Sequence, residues 1–360
     1  MQRSGFQFPF QRLYRHHPGE RPHNTDNTMR IAILTDAWHP QISGVVTTLS
    51  RTIQEVESMG HTVCCLHPGT FSKTIPCPTY PQISLAVNPL ERTFRILDRF
   101  RPEAVHIVTE GPIGLAGRTY CRRRGQPFST AFCTRFDEYI EMRFRIPGPL
   151  ILGLMRWFHN GAARVMISSI PLKQELESKG FTNIIIWPRG VDTDLFRPRD
   201  KAFLKCSRPV FTYVGRVAVE KNIEAFLSMD LPGTKLVVGD GPAMGAMKAR
   251  FPEALFLGPR TGVDLARHYA ASDVFVFPSR TDTFGIVMLE ALACGVPVAG
   301  FPVRGPIDII DHGKTGFLSQ ELRQAALDCL TLDPETCRKA ALPYSWERSA
   351  RCFLENLATV

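Results

Sequence analysis

Two carboxylates eight residues apart, Asp282 and Glu290, stand in the most informative stretch of the chain. The apolar run 273–278 reads as a buried strand that delivers a polar loop holding Asp282. Gly285 lets the backbone approach a ligand closely. Glu290 falls on the helical pattern that follows, inside the apolar run 286–293, where an unpaired carboxylate is costly. So placed, the pair can address two ends of one polyhydroxylated ligand; the plainer alternative is a helix cap and a surface acid. Upstream, Gly215, Arg216 and Lys221 follow another strand and flank a turn into a helix. That arrangement offers two cations and a helix N-terminus to a phosphate, or else is a solvated loop. The run Val238-Gly239-Asp240-Gly241-Pro242 repeats the strand–glycine–helix order, and is equally serviceable as a turn with an N-cap.

Positioning these groups requires strands alternating with helices. Strands are expected at 30–35, 63–66, 104–108, 128–132, 165–168 and 183–187, with helices at 46–59, 89–100, 113–124, 150–160 and 171–179 between them. The stretch 188–209 is polar, proline-bounded and aperiodic, and reads as a linker. The pattern then restarts: strands at 210–214, 235–239, 254–258, 273–278 and 296–301, helices at 220–229, 243–251, 263–271 and 286–294. Such alternation signals two doubly wound α/β halves, with ligand bound at the carboxyl ends of the strands. Five regions follow: a disordered leader at 1–28, a first domain at 29–187, the linker at 188–209, a second domain at 210–342, and a C-terminal helix within 343–360 that packs back on the first domain.

The 360 residues, 44% hydrophobic and 21% charged, are those of a globular chain rather than a disordered one. Its formal charge of +9 is confined to one half: residues 1–190 carry 23 Lys/Arg against 14 Asp/Glu, and the remainder is balanced. A basic first half suits an acidic partner, nucleic acid or an anionic membrane surface. No recognition module or aromatic platform favours nucleic acid. The densest cluster is Arg118, Arg122, Arg123 and Arg124, while Arg143, Arg145 and Arg156 flank an apolar stretch. Ten scattered cysteines without a Cys-x-x-Cys pair suggest reduced thiols and the cytoplasm, and no segment is long and apolar enough to span a membrane.

Together these motifs resemble the retaining glycosyltransferases of family 4, whose GT-B fold has two Rossmann-like domains with a ligand cleft between them. The resemblance runs from Met29 onward and rests on Asp36-Ala-Trp-His-Pro-Gln-Ile-Ser-Gly44, Glu110-Gly-Pro-Ile-Gly114, Arg189-Gly-Val-Asp-Thr-Asp-Leu-Phe196, the Gly-Arg…Lys motif and the acidic pair. The family's pair is normally Glu-x7-Glu; here Asp282 takes the first place, in a form resembling one bacterial branch of mannosyl- and glucosyltransferases. The resemblance implies that Arg216 and Lys221 clamp the diphosphate of a nucleotide sugar such as GDP-mannose. It implies that Glu290 holds the ribose hydroxyls, that Asp282 and the backbone around Phe284 and Gly285 hold the sugar hydroxyls, and that Gly44 admits backbone N–H groups to the phosphate. Catalysis would then rest on Asp282, Arg216 and Lys221.

Similar proteins often carry a His, lying near the donor sugar, where Cys133 stands, and a thiol does not replace imidazole as a proton acceptor near pH 7. Cys133 and Arg135 are the acceptor-side candidates. No cofactor and no metal are implied, and the pair Asp192 and Asp194 is then a loop. The expected activity is hexosyl transfer to a hydroxyl, in glycolipid synthesis, on a lipid-linked or membrane-surface acceptor, by a cytoplasmic protein peripheral at the inner membrane face. The alternatives are a catalytically impaired nucleotide-sugar-binding protein and a sugar phosphorylase on the same fold.

Overall fold

Ile31, Ala32, Ile33 and Leu34 are all fully buried, as a parallel strand covered by helices on both faces requires. A computed structural model of the chain describes residues 28–41, 43–77, 80–133, 148–282 and 284–360. The leader, Arg135, Arg143 and Arg145 lie outside the described residues. The chain divides into two compact units, one of residues 28–189 with Trp346–Val360 and the other Gly190–Ser345.

The first unit is built on a parallel sheet of β1 (Arg30–Leu34), β2 (Thr62–Leu66), β5 (Ala104–Ile107), β6 (Ser129–Ala131), β7 (Arg164–Ile167) and β8 (Ile184–Ile186), in the order β2-β1-β5-β6-β7-β8. Side chains alternate along each strand: Ala32 and Leu34 join the core on one face, Ile31 and Ile33 the core on the other. The helix Trp346–Glu355 closes that second face, with Ala350 and Phe353 packed among Ile31, Ile33 and Trp187. The Trp187 indole donates to the Ser349 carbonyl at 3.2 Å, and Thr359 bridges Ala104 at the sheet.

The second unit repeats the plan with β9 (Val210–Val214), β10 (Thr234–Val238), β11 (Leu255–Gly258), β12 (Val274–Phe277), β13 (Val298–Gly300) and β14 (Gly316–Leu318), ordered β11-β10-β9-β12-β13-β14. Val210 and Val214 of β9 face one core, Phe211 and Tyr213 the other.

Three differences from the sequence reading have physical causes. The stretch 188–209 is no free linker, because Val191 and Phe196 are buried in the core of the second unit and Arg338 donates to the carbonyls of Thr193 and Phe196. The helix expected at 220–229 is interrupted: Asn222 adopts φ +51, so Val219–Lys221 forms a single 3-10 turn and the helix runs only Ile223–Leu227. An antiparallel hairpin of β3 (Thr74–Cys77) and β4 (Tyr80–Ala86), and the helices Leu322–Asp328 and Pro334–Ala341, are not among the expected elements; the helices span only seven and eight residues, fewer than a periodic pattern needs to stand out.

Candidate active site

A parallel sheet opens a crevice where chain order reverses, because the loops leaving the two central strands turn to opposite sides. In the second unit that point lies between β9 and β12. The loop after β9 carries Arg216 and Lys221, and the loop after β12 carries Asp282. The structure joins them: Lys221 Nζ donates to Asp282 Oδ1 at 2.6 Å. Asn222 Nδ2 donates to the Pro278 carbonyl at 3.0 Å, tying the same loops beneath the charges. The second oxygen, Asp282 Oδ2, is buried and has no hydrogen-bond partner among the described residues. A buried carboxylate oxygen of this kind is costly unless something donates to it.

Close backbone contact explains the glycines around these loops. Gly239 has φ +140, and a Cβ there would lie 1.9 Å from the Gly215 carbonyl oxygen, so the β9 and β10 loops touch only because Gly239 lacks a side chain. Gly285, at φ +86, begins the helix Ile286–Ala293, while Phe284 just before it is buried in the core and anchors the loop. Arg216 is partly exposed directly after Gly215, and its carbonyl accepts from the Tyr213 hydroxyl at 2.7 Å. The helix N-terminus expected beside Lys221 is instead the 3-10 turn described above, so local cations rather than a long helix dipole supply positive potential there.

Glu290 lies on the helix Ile286–Ala293, half-buried as expected, but it is not unpaired. The Tyr269 hydroxyl donates to its Oε2 at 2.9 Å. Burial and the neighbouring carboxylate push the Tyr269 phenol well above its usual range, keeping it a donor. Nothing in the sequence around Tyr269 distinguishes it from a core aromatic, so this partner was invisible there.

The first unit has its own reversal point, between β1 and β5. Asp36, leaving β1, accepts from Ile113 N at 3.0 Å, Gly114 N at 3.4 Å and Thr109 Oγ1 at 2.8 Å. It thereby caps the helix Pro112–Arg124, and burial outweighs these donors to hold its carboxyl above the usual range. Gly114 is required by contact, since a Cβ there would meet the Thr109 carbonyl at 1.8 Å. Glu110 is claimed by a buried histidine that sequence reasoning missed: His159 Nε2 lies 2.9 Å from Glu110 Oε1, and Nδ1 lies 2.9 Å from Thr130 Oγ1. Gly44 is exposed as the first residue of the helix Gly44–Ser58, behind Ser43, whose hydroxyl accepts from Val46 N.

Cys133 sits just beyond β6, 3.9 Å from a guanidinium nitrogen of the buried Arg189. Arg189 in turn stacks on Trp187 at 4.3 Å and donates to its carbonyl. Burial pushes the Cys133 thiol up despite that cation, so it stays protonated and is not a thiolate nucleophile. The ten cysteines are all free. No group of three or more His, Cys, Asp or Glu among the described residues is disposed to hold a metal ion. Asp192 accepts from Leu195 N at 2.9 Å and is a turn-forming residue. No helix of the described residues is long and apolar enough to cross a membrane.

Two parallel Rossmann-like halves, one with Lys221 and Asp282 paired at its switch point, define a GT-B glycosyltransferase fold. Sucrose-phosphate synthase from Thermosynechococcus elongatus matches it with a TM-score of 0.72 at 19% identity, covering 91% of this chain and 98% of that one. Residues 42–195 match the family model for Glycosyltransferase Family 4, and residues 208–331 that for Glycosyl transferases group 1. A GDP-mannose-dependent alpha-mannosyltransferase of Corynebacterium glutamicum is 30% identical over 92% of this chain and 89% of its own length. An alpha-monoglucosyldiacylglycerol synthase of Streptococcus pneumoniae is 25% identical over 90% of this chain and 83% of its own. The chain belongs to glycosyltransferase family 4. It is a nucleotide-sugar-dependent enzyme that transfers a hexosyl unit.

Proposed function

We propose that the protein transfers mannose from GDP-mannose to a hydroxyl of a lipid-linked acceptor at a membrane surface, with retained anomeric configuration. The observation that carries this reading is the Lys221–Asp282 pair at the β9/β12 switch point. It sets a cation for phosphate beside a carboxylate for sugar hydroxyls, 2.6 Å apart. Arg216 and Lys221 meet the diphosphate. Asp282, with the backbone around Phe284 and Gly285, accepts from the hexose hydroxyls. Glu290, steadied by Tyr269, takes the ribose hydroxyls. Cys133 is the acceptor-side candidate among the described residues. Mannose and the lipid acceptor are supported by the names of the Corynebacterium and Streptococcus relatives.

In the reaction the bond from C1 to the diphosphate oxygen breaks, and C1 bonds to the acceptor oxygen on the same face. The acceptor proton passes to the departing phosphate. Negative charge builds on the diphosphate, and prepositioned cations stabilise it more in the transition state than in the ground state.

Thermal-shift measurement against GDP-mannose and UDP-glucose tests the donor, since a ligand bound by the native state alone raises stability by mass action. GDP-mannose should raise Tm more than UDP-glucose, and NMR of the product should show the donor's anomeric configuration. Stabilisation by UDP-glucose alone would replace the donor, and an inverted product would overturn retention. A second reading, a nucleotide-sugar-binding protein with impaired catalysis, is favoured by the protonated Cys133 thiol standing where similar proteins carry His. Slow release of free mannose from GDP-mannose distinguishes the two, because a competent transferase leaks sugar to water.

A further inference from the structure

On one face of the first unit, the helix Gly148–His159 turns its large apolar side chains outward. Leu150 is 69% exposed, Leu154 63% and Trp157 53%. Their spacing of four and then three residues sets them in one row along the helix. The adjacent face, about 100° round the helix and running through Ile151, Met155 and Phe158, is buried in the core. An amphipathic helix normally points its apolar face inward alone; here a second apolar row faces outward.

The neighbouring helix Pro112–Arg124 extends the row. Arg118 stacks its guanidinium on Trp157 at 3.8 Å and donates to the Trp157 and Phe158 carbonyls. Leu115, three residues before Arg118 and so on the same side of that helix, is 41% exposed. Charge of one sign frames the row: the two helices carry Arg118, Arg122, Arg123, Arg124 and Arg156, and neither contains an Asp or Glu. Arg124 is committed to Asp98 at 2.7 Å, whereas Arg122 is simply exposed.

We propose that this face is a docking surface for an anionic lipid membrane, on which the helix Gly148–His159 lies in the plane of the interface. Leu150, Leu154 and Trp157 enter the boundary between headgroups and acyl chains while the arginines contact lipid phosphates. Charge complementarity selects this occupant. A row of Leu and Trp beside arginines, on two helices without Asp or Glu, suits an interface that is apolar below and anionic above, and Trp favours that depth. The inference deepens the lipid-linked acceptor reading and rests on it, since it says where the protein meets the surface that carries its acceptor.

The test is co-sedimentation of the full chain with vesicles of phosphatidylglycerol and phosphatidylcholine, and with phosphatidylcholine alone. The protein should favour the anionic vesicles, and the double variant Leu150→Ser, Leu154→Ser should lower partitioning about tenfold or more. Anionic vesicles should shift the parent's tryptophan emission to the blue, and that shift should vanish in Trp157→Phe. Unchanged donor-induced thermal shifts would certify that both variants are folded. Equal partitioning of the double variant and the parent would overturn the proposal. So would a dimer that dissociates in the double variant, because the row would then be covered by a second copy. Thermal shifts and donor hydrolysis read the donor assignment independently, and preference for a water-soluble acceptor would overturn the acceptor reading without altering vesicle binding.

Discussion

At the reversal point of the first sheet, between β1 and β5, a carboxylate is used up by the protein itself. Asp36 takes three donors from Thr109, Ile113 and Gly114 and is buried beneath them. At the same topological position in the second sheet, between β9 and β12, Asp282 shares one oxygen with Lys221 and keeps the other without a hydrogen-bond partner among the described residues. Each sheet therefore has an acid at its reversal point, on the loop after β1 in the first unit and on the loop after β12 in the second, and uses it in its own way. In the first unit it fastens a helix; in the second it stands with a cation in a loop, where Lys221 and Asp282 keep 23% and 20% of their side chains exposed. Activity and stability should accordingly separate between the units.

The largest effect is expected from Lys221→Ala. If Lys221 is the cation proposed for the departing diphosphate, its loss should lower kcat by ~10²–10³-fold in a transfer assay. Stability should change by about 1 kcal/mol or less in urea unfolding, since the pair is partly hydrated. A stability loss as large as that of an Asp36 variant would break the comparison. Gly114→Ala probes the other side: its Cβ would overlap the Thr109 carbonyl, so the backbone must move, at about 3 kcal/mol of stability.

Asp36→Ala should destabilise by about 2 kcal/mol, because it leaves buried N–H donors without an acceptor. Asp36 also adds a pH signature. Its carboxyl is raised above 3.8 in the folded chain, so the fold binds this proton more tightly than the unfolded chain does. The stability it contributes is complete below pH 3.8 and lost as pH rises through the folded value. Relative to Asp36→Asn, the parent should thus gain stability on acidification, and a flat difference across that range would refute the assignment.

Tyr269→Phe should cost about 1 kcal/mol and weaken donor binding by loosening Glu290, visible as a smaller GDP-mannose thermal shift. Cys133→Ser should alter kcat by less than about threefold, because a protonated thiol beside Arg189 contributes no base. A large loss would place the thiol in the chemistry.

The donor-side motifs were legible because their signals are local. Gly215, Arg216 and Lys221 follow one apolar strand, Asp282 and Gly285 another, and each grouping spans a few residues. Boundaries were less so: Asn222 in the left-handed region shortened one helix, and apolar Val191 and Phe196 drew a seemingly polar linker into a core. The partners of the site lay further off still. Tyr269 is 21 residues from Glu290, and His159 is 49 from Glu110.

Taken alone, the amino-acid sequence determined the alternation of strands and helices, the glycine turns and the identity of the candidate donor residues. The alternation and the turns follow from periodicity and steric rules that operate within a few residues, and the donor roles from the resemblance to family 4. Tertiary structure alone decided that Asp36 is a structural lock, that Lys221 and Asp282 are one pair, and that Glu290 rests on a tyrosine. It also decided that Leu150, Leu154 and Trp157 face outward. The physical reason is that hydrogen bonding and burial depend on distance in space, and only the packed sheets bring strands remote in sequence to the same edge.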